Sequence, residues 1–541
     1  MNVKILDCTL RDGGYLTNKH FSENIVYGII NGLTEAGIDY VEIGFLQDDC
    51  SPQENVVFFN SKDAQKYIPK NRKNTHYTVL ADYSRYSIKN LDNYDGQSFD
   101  VVRVCFFKKE RKDVLTFARE VINKGYKLFI QPVDILGYND TELLDLISDI
   151  NVIEPEGFAI VDTFGSMYLD DLRAVFSIIH RNLSPKISID FHSHNNLQMS
   201  SALSQEFLNI SQNKRNVVVD SSIFGMGRGG GNAHTELLIQ YINDKMNGNY
   251  DLDTVLDLID GYILGIKSQV KWGYDVSMFL AGCYNSHVNN LEYLLNKGSL
   301  RSKDIRFIIN DIDPVKRKRY ELENLETHYL QHLQSDVDDS ESIEALKVIF
   351  NDKRILLTAP GKSIILENEK IQAYIKKNEP IIISVNFLPD TFNYNFTYFS
   401  NKHRFDYWKY DKNFINCKKI ITSNISKIKK EGEYVISFSR LVKSGWNNLD
   451  NSVIMLLRLL DMLSVKSIAL AGFDGFSFGG DDYVSHDLDK ESNARNYMLE
   501  NKEIEKMFYN FLQNKKIKEV FFITKSRFNK VEGVSSNEIV D

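Results

Sequence analysis

The chain has 541 residues, with 65 Lys and Arg against 73 Asp and Glu, a formal net charge of −8. Hydrophobic residues make up 43% and charged residues 26%, an ordinary globular balance that excludes a disordered, collagenous or disulfide-scaffold chain. The mild acidity speaks against a nucleic-acid partner, whose footprint would be basic. At about 150 residues per domain the length allows three or four domains, or fewer where one barrel takes about 250. Cys8, Cys50, Cys105, Cys283 and Cys417 are odd in number, widely spaced and without a CxxC pair, which predicts reduced thiols and a cytoplasmic protein. No apolar run reaches about 18 residues, so no membrane span is expected. The opening MNVKILDCTLRDGG enters a strand pattern at once and leaves no room for a signal peptide.

Taken in chain order, residues 1–246 repeat one alternation. The short β-branched or apolar runs are VKILDCTL (3–10), YVEIGF (40–45), HYTVLAD (76–82), VVRVCFF (101–107), KLFIQPV (127–133), GFAIVDT (157–163), KISIDFHSH (186–194) and VVVDSSIFGM (217–226). Stretches of helical spacing lie between most of them, such as FSENIVYGIINGLTEAG and LDDLRAVFSIIHRNL. Eight such strands predict a (β/α)8 barrel of the TIM type, with the third unit weakest because SRYSIKNLDNYD is short and polar. Further helices to about residue 300 complete a first domain, 1–300. Residues 301–345 read as a charged helical connector ending in the acidic stretch SDVDDSES, its KRKR run (316–319) a solvated helix face. Residues 346–541 then restart the alternation with RILLTAP, PIIISVNFL, FTYFSN, KKIITSN, YVISFS, SIALAGFDG and EVFFIT, which predicts a second, Rossmann-like doubly wound α/β domain.

Chemistry in such a barrel sits at the C-terminal ends of the strands. The first run ends in Arg11 and Asp12, one cation beside one carboxylate. The seventh ends in His192 and His194, two apart and therefore on one face. Closure brings the seventh, eighth and first strands together, so Asp12, His192 and His194 converge as a mixed oxygen and nitrogen site for a divalent metal: Mn²⁺ first, with Mg²⁺, Co²⁺ or Zn²⁺ as alternatives. Asn232, in GMGRGGGN after the eighth run, offers a fourth, oxygen ligand. The glycines there suit close backbone approach to a ligand and do not open a dinucleotide unit. RILLTAPGKS places small residues at a helix start, a turn that suits a phosphate, but it lacks the spacing of a P-loop.

DCTLRDGG, VEIGF, VDTFG, FHSHNN and GMGRGGGNAHTE, in this order, resemble the metal-dependent barrels of the 3-hydroxy-3-methylglutaryl-CoA lyase superfamily, above all the 4-hydroxy-2-oxovalerate aldolases, over residues 1–290. The resemblance implies Asp12, His192 and His194 as metal ligands with Asn232 beside them. It implies Arg11 steadying an enolate oxygen, Thr163 holding the carboxylate of a 2-keto acid, and Glu42 as an active-site acid. Arg103 is either a substrate contact or a structural ion pair, and Tyr274 either orients substrate or packs in the core. One position departs from the family pattern: Tyr15 stands where the aldolases carry an acid/base His, so the proton passes through Tyr15, a metal-bound water or a residue such as His20.

The resemblance thus implies a metal-dependent aldolase acting on a 2-keto acid and an aldehyde. The alternatives are Claisen chemistry on an acyl-CoA and a degenerate barrel serving as a scaffold. SVNFL, YFSNKHRFDYW and SIALAGFDG resemble Rossmann-like domains of bacterial sialyltransferase-like and motility-associated glycosyltransferases. That resemblance implies a nucleotide or sugar ligand near Gly361 and Ser363, and a role in surface-sugar synthesis. A homo-oligomer is a further expectation.

Overall fold

A computed structural model describes residues 3–51, 53–212, 214–297, 300, 302–333, 337–388, 390, 392–443, 446, 450–477, 482–484 and 497–536. The chain forms two compact units. The first takes residues 1–291 and 313–320, the second 292–312 and 321–541. Among the described residues no helix is long and apolar enough to cross a membrane.

The first unit is the expected barrel. Its strands are β1 (Val3–Asp7), β2 (Tyr40–Leu46), β3 (His76–Asp82), β4 (Val101–Phe106), β5 (Lys127–Pro132), β6 (Gly157–Asp162), β7 (Ser188–Ser193) and β8 (Val217–Ser221). Each pairs in parallel with the next, and β1 pairs with both β8 and β2, which closes the ring. A two-residue strand, Val57–Phe58, adds to β2 outside it. The apolar runs become strands because they are buried on both faces, inward against one another and outward against helices such as Glu23–Glu35 and Leu169–Asn182. After β3, where a short polar helix is expected, the sequence forms only a 3₁₀ turn, Ile88–Asn90.

The second unit holds a seven-stranded parallel sheet. Its strands are β9 (Arg354–Thr358), β10 (Ile381–Val385), β11 (Phe396–Phe399), β12 (Lys418–Thr422), β13 (Glu433–Ile436), β14 (Ser467–Ala471) and β15 (Glu519–Phe522). Their order is β13-β12-β11-β10-β9-β14-β15. The order reverses between β9 and β14, and such a switch point opens a crevice beyond the strand ends. A cavity of about 850 Å³ lies there, lined by Ala359, Asn386, Ser400, Asn451, Gly472 and others.

The turn expected to seat a phosphate is filled from within. The Ser363 N–H donates to Asp474 Oδ2 at 2.8 Å and the Ser363 hydroxyl to Asp474 Oδ1 at 2.5 Å, so this chain's own carboxylate takes the anion's place. Within the stretch expected as a connector, 313–320 belongs to the first unit and the rest to the second. Of its acidic end, 334–336 lie outside the described residues. Asp339 is buried and held through two bonds by Arg440, at 2.6 and 2.9 Å.

Candidate metal centre

The site begins where β1 ends. Asp7 Oδ1 accepts the Thr9 N–H at 2.9 Å and Oδ2 accepts the Thr235 hydroxyl at 2.6 Å, which turns the chain into a four-residue helix, Thr9–Asp12. Burial pushes the Asp7 carboxyl up to about 6. The turn buries Arg11 and Asp12 side by side. Arg11 Nε donates to Glu42 Oε2 at 2.6 Å and Nη1 to Asp12 Oδ1 at 2.7 Å. Glu42 sits at a bulge, where the register of β2 on β3 slips between Glu42 and Gly44. Bulges re-aim side chains. Gly44 has φ +155°, and a Cβ there would stand 2.1 Å from the Val56 carbonyl oxygen, so the bulge requires glycine.

On β7, Asp190 and His192 share the inward face, and His194 follows just past the strand end. His192 Nδ1 lies 2.8 Å from Asp220 Oδ2, which leaves Nε2 for a ligand. His194 Nδ1 lies 3.8 Å from Asp12 Oδ2 and is buried without a hydrogen-bond partner. One ligand atom each from Asp12, His192 and His194 falls within 4.8 Å of the other two, the group of this kind found among the described residues. Asn232 Nδ2 donates to Asp12 Oδ2 at 2.7 Å, while its Oδ1 is buried without a partner. Gly227 walls the group: a Cβ there would stand 2.3 Å from Asn232 Nδ2 and 2.5 Å from Asp12 Oδ2.

Electrostatics set the protonation states. Burial opposes the Asp12 charge, but Arg11 overrides it and holds the carboxyl well below the usual carboxylate range. Burial pushes the His192 and His194 imidazoles down to about 4. An ionised carboxylate beside two neutral imidazoles is the state a metal needs.

Arg103 lies at the barrel's centre, 1% exposed. Its Nη1 is 3.1 Å from Glu42 Oε2, and its Nη2 is 2.9 Å from Asp190 Oδ2 and also bonded to Asp220. Of its two readings the geometry shows the ion pair, with three carboxylates around the guanidinium. Burial, and then the charge of Asp220, push Asp190 up to about 7. Gln131 Nε2 donates to the same carboxylate at 2.8 Å.

Thr163 follows β6, and its hydroxyl oxygen accepts the Asp134 N–H at 2.8 Å. Beside it, burial pushes the Asp162 carboxyl up to about 7, against N–H bonds from Ser166 at 2.9 Å and Met167 at 3.3 Å. Tyr15 is 38% exposed, edge-on to Phe45 at 5.2 Å, with the Arg228 guanidinium 5.3 Å from its ring centre. Burial pushes its phenol up to about 12. His20 is exposed, with Nδ1 2.6 Å from the Gln53 carbonyl oxygen. Tyr274 is 60% exposed in the loop before helix Val276–Tyr284, outside this buried cluster.

Asp7, Asp190, Asp220, Gln131 and Arg228 escaped the sequence reading. Their signal was available for two of them: Asp190 in SIDFHS and Asp220 in VVVDS are charges inside apolar strands, and a buried charge needs a partner.

A parallel barrel with Asp, His, His and a paired Arg at the C-terminal strand ends defines the class of the first unit. Residues 2–260, which span all eight barrel strands, match the HMGL-like family model. The chain is 25% identical over 273 residues to an oxaloacetate decarboxylase of Mycobacterium tuberculosis, across 50% of this chain and 79% of that protein. It is 24% identical over 314 residues to a 4-hydroxy-2-oxovalerate aldolase of Moorella thermoacetica, across 56% of this chain and 90% of that one. The solved HMG-CoA lyase of Brucella melitensis aligns with a TM-score of 0.41 at 16% identity, across 49% of this chain and 99% of that chain.

Proposed function

We propose that the first unit is a divalent-metal-dependent aldolase that makes or breaks the C3–C4 bond of a 4-hydroxy-2-oxo acid, through the enolate of a pyruvate-type 2-keto acid. The observation that carries this is the convergence of Asp12, His192 and His194 at the catalytic end of the barrel, with Arg11 bonded to the first of them. The residues fit a metal. His194 Nδ1 is a buried nitrogen with no other partner, and Asn232 Oδ1 is a buried oxygen left over for a fourth position. Two guanidinium groups face Asp12, Glu42, Asp220 and the partly protonated Asp190, which leaves a negative balance that a divalent cation offsets. When bound, the cation supplies a Lewis acid for the oxygens of the 2-keto acid.

The chain's own groups do the rest. In condensation the methyl C3 of the 2-keto acid gives a proton to solvent, the electron pair of the resulting enolate forms the C3–C4 bond to the aldehyde carbon, and the aldehyde oxygen takes a proton from Tyr15 to become the 4-hydroxyl; cleavage is the reverse. Arg11, clamped through Nε and Nη1, keeps Nη2 for the oxygen where enolate charge collects. Thr163 has used its oxygen on Asp134 and keeps its O–H proton for the substrate carboxylate. Tyr15 stays protonated at neutral pH, so it donates a proton to the aldehyde oxygen in condensation and takes it back in cleavage. Glu42 and Arg103 fix Arg11 in place.

The test is metal-loaded full chain with pyruvate in D₂O. Deuterium enters the methyl group, a chelator stops it, and Mn²⁺ restores it. A fully loaded protein without exchange overturns the proposal. Exchange into acetyl-CoA in place of pyruvate supports the Claisen reading, and stoichiometric metal with neither supports a scaffold. In the second unit, the cavity of about 850 Å³ at the sheet's switch point favours a ligand-binding role. A nucleotide or sugar bound there would tie the aldolase to surface-sugar synthesis, and a thermal-shift series with nucleoside diphosphates and monophosphates tests it.

A further inference from the structure

Arg228 differs from the other two arginines of the site. Arg11 is bonded to Asp12 and Glu42, and Arg103 to Glu42, Asp190 and Asp220, so both are neutralised inside the protein. Arg228 lies half-buried in the glycine run after β8, next to Gly227, whose backbone walls Asp12 and Asn232. Its Nη2 donates to His287 Nε2 at 3.0 Å and to Asn289 Oδ1 at 3.1 Å. Its guanidinium lies over the Tyr15 ring, 5.3 Å from the centre. Burial, and then the Arg228 charge, push His287 down to about 4, so all three neighbours are neutral. Among the described residues no carboxylate stands within ion-pair distance of Arg228. A cation fixed in orientation, half-desolvated and lacking a counter-ion is preorganised for an anion, and a planar guanidinium with two nitrogens free suits a carboxylate or phosphate.

We propose that Arg228 seats an anionic group on the second substrate, so that the barrel joins its 2-keto acid to an aldehyde that itself carries a carboxylate or a phosphate. This rests on the aldolase reading above, which places the carboxylate of the 2-keto acid at Thr163. Thr163 follows β6, whereas Arg228 follows β8 and stacks on Tyr15 after β1, on the side where the aldehyde oxygen is received. His287 and Asn289 are positioning residues that hold the guanidinium. A purely structural clamp between the glycine run and residues 287–289 would use Nη2 alone and would be indifferent to the substrate's charge.

The experiment compares matched aldehydes with pyruvate as donor: 4-oxobutanoate against pentanal, and glyceraldehyde 3-phosphate against glyceraldehyde. The full chain is expected to favour the anionic member of at least one pair by about 10- to 100-fold in kcat/KM, the worth of one charge-assisted pair. Whichever pair shows it tells carboxylate from phosphate. Arg228→Gln should collapse that ratio to near one, and Arg228→Lys, which keeps charge but loses the fork, should retain part of it. The ratio is internal to each variant, so a general loss of rate does not imitate the effect. If Arg228→Gln does not fold, the Arg228→Lys ratio decides. Equal use of charged and neutral aldehydes by the wild type overturns the proposal. So does an Arg228→Gln enzyme that keeps the ratio but has a raised KM for pyruvate, since Arg228 would then hold the 2-keto acid. Calorimetric Kd values for 4-oxobutanoate and glyceraldehyde 3-phosphate, wild type against Arg228→Gln, need no turnover. A loss of about tenfold or more supports Arg228 even where pyruvate exchange fails and the aldolase reading falls with it, and an unchanged Kd for both overturns it.

Discussion

Asp12 is held from three sides, by Arg11, by Asn232 and by the wall that Gly227 makes. A methyl group at position 227 would collide with Asn232 and with Asp12 itself. Gly227→Ala should therefore weaken Mn²⁺ binding by about 10- to 100-fold, as losing an outer-shell partner does, with the far-ultraviolet spectrum unchanged; calorimetric titration checks it. Arg11→Lys keeps a charge but cannot bridge Glu42 and Asp12 while presenting a third nitrogen, so turnover should fall by about two to three orders of magnitude in a steady-state assay. Asp162 gives a pH signature. Its folded carboxyl is raised to about 7 while an unfolded Asp titrates near 3.9, so the unfolded chain sheds this proton first. The contribution is whole below about pH 4 and is lost as pH rises to about 7, at up to about 1.4 kcal/mol per unit. Asp162→Asn, which cannot ionise, should gain in unfolding temperature relative to wild type between pH 4 and 7, and the difference should level off above that. Asp12, His192 and His194 were legible in the sequence because motif and strand parity point the same way. For Arg103 an ion pair was one of two readings, but its partners were not legible, because only closure of the ring shows that three carboxylates from β2, β7 and β8 surround it.

Eight strands were legible because each is an apolar run bounded by polar turns; the weakness of the third unit was legible in the short polar SRYSIKNLDNYD, but that its expected short helix shrinks to a 3₁₀ turn was not. The bulge in β2 was not, since a single glycine in YVEIGF does not say which residue the register skips. Nor was the filled turn after β9, where the competing anion comes from Asp474, 111 residues further along the chain than Ser363. Inside the barrel, strands β2, β4, β7 and β8 are tied by one buried network centred on Arg103. Arg103→Met leaves Glu42, Asp190 and Asp220 without their shared cation, a loss that typically costs about 3–5 kcal/mol. Denaturant unfolding of the variant, followed at the barrel's transition, should show a cost of that order. An unchanged midpoint would mean the carboxylates take up protons freely enough to replace the arginine.

At the scale of the molecule, the sequence predicts a barrel, a connector and a second α/β domain, and the chain is in fact shared between its two units in four pieces. Residues 313–320 belong with the barrel: the Arg317 carbonyl oxygen accepts from the His287 N–H at 2.9 Å and from Asn290 Nδ2 at 2.8 Å, and Lys318 pairs with Asp134 at 2.5 Å. The composition of KRKR, which reads as a solvated face, gives no hint of this, because the bonds use its backbone and one side chain reaches a distant loop. We propose that a fragment ending at residue 320 folds and binds the metal, since all candidate ligands precede residue 233, and that one ending at 300 is less stable; melting the two fragments side by side checks it. Every candidate ligand of the proposed metal is synthesised before residues 313–320, which complete the first unit. At about 5–20 residues per second, the roughly 29 residues between 291 and 320 take about 1.5–6 s to make. For that interval the nascent barrel can already present Asp12, His192 and His194 to cellular metal while the 287–290 segment that anchors Arg228 still lacks its backing. If the proposed metal binds, its capture would then precede completion of the first unit during translation, and metal supply would act on the newborn chain as well as on the finished one.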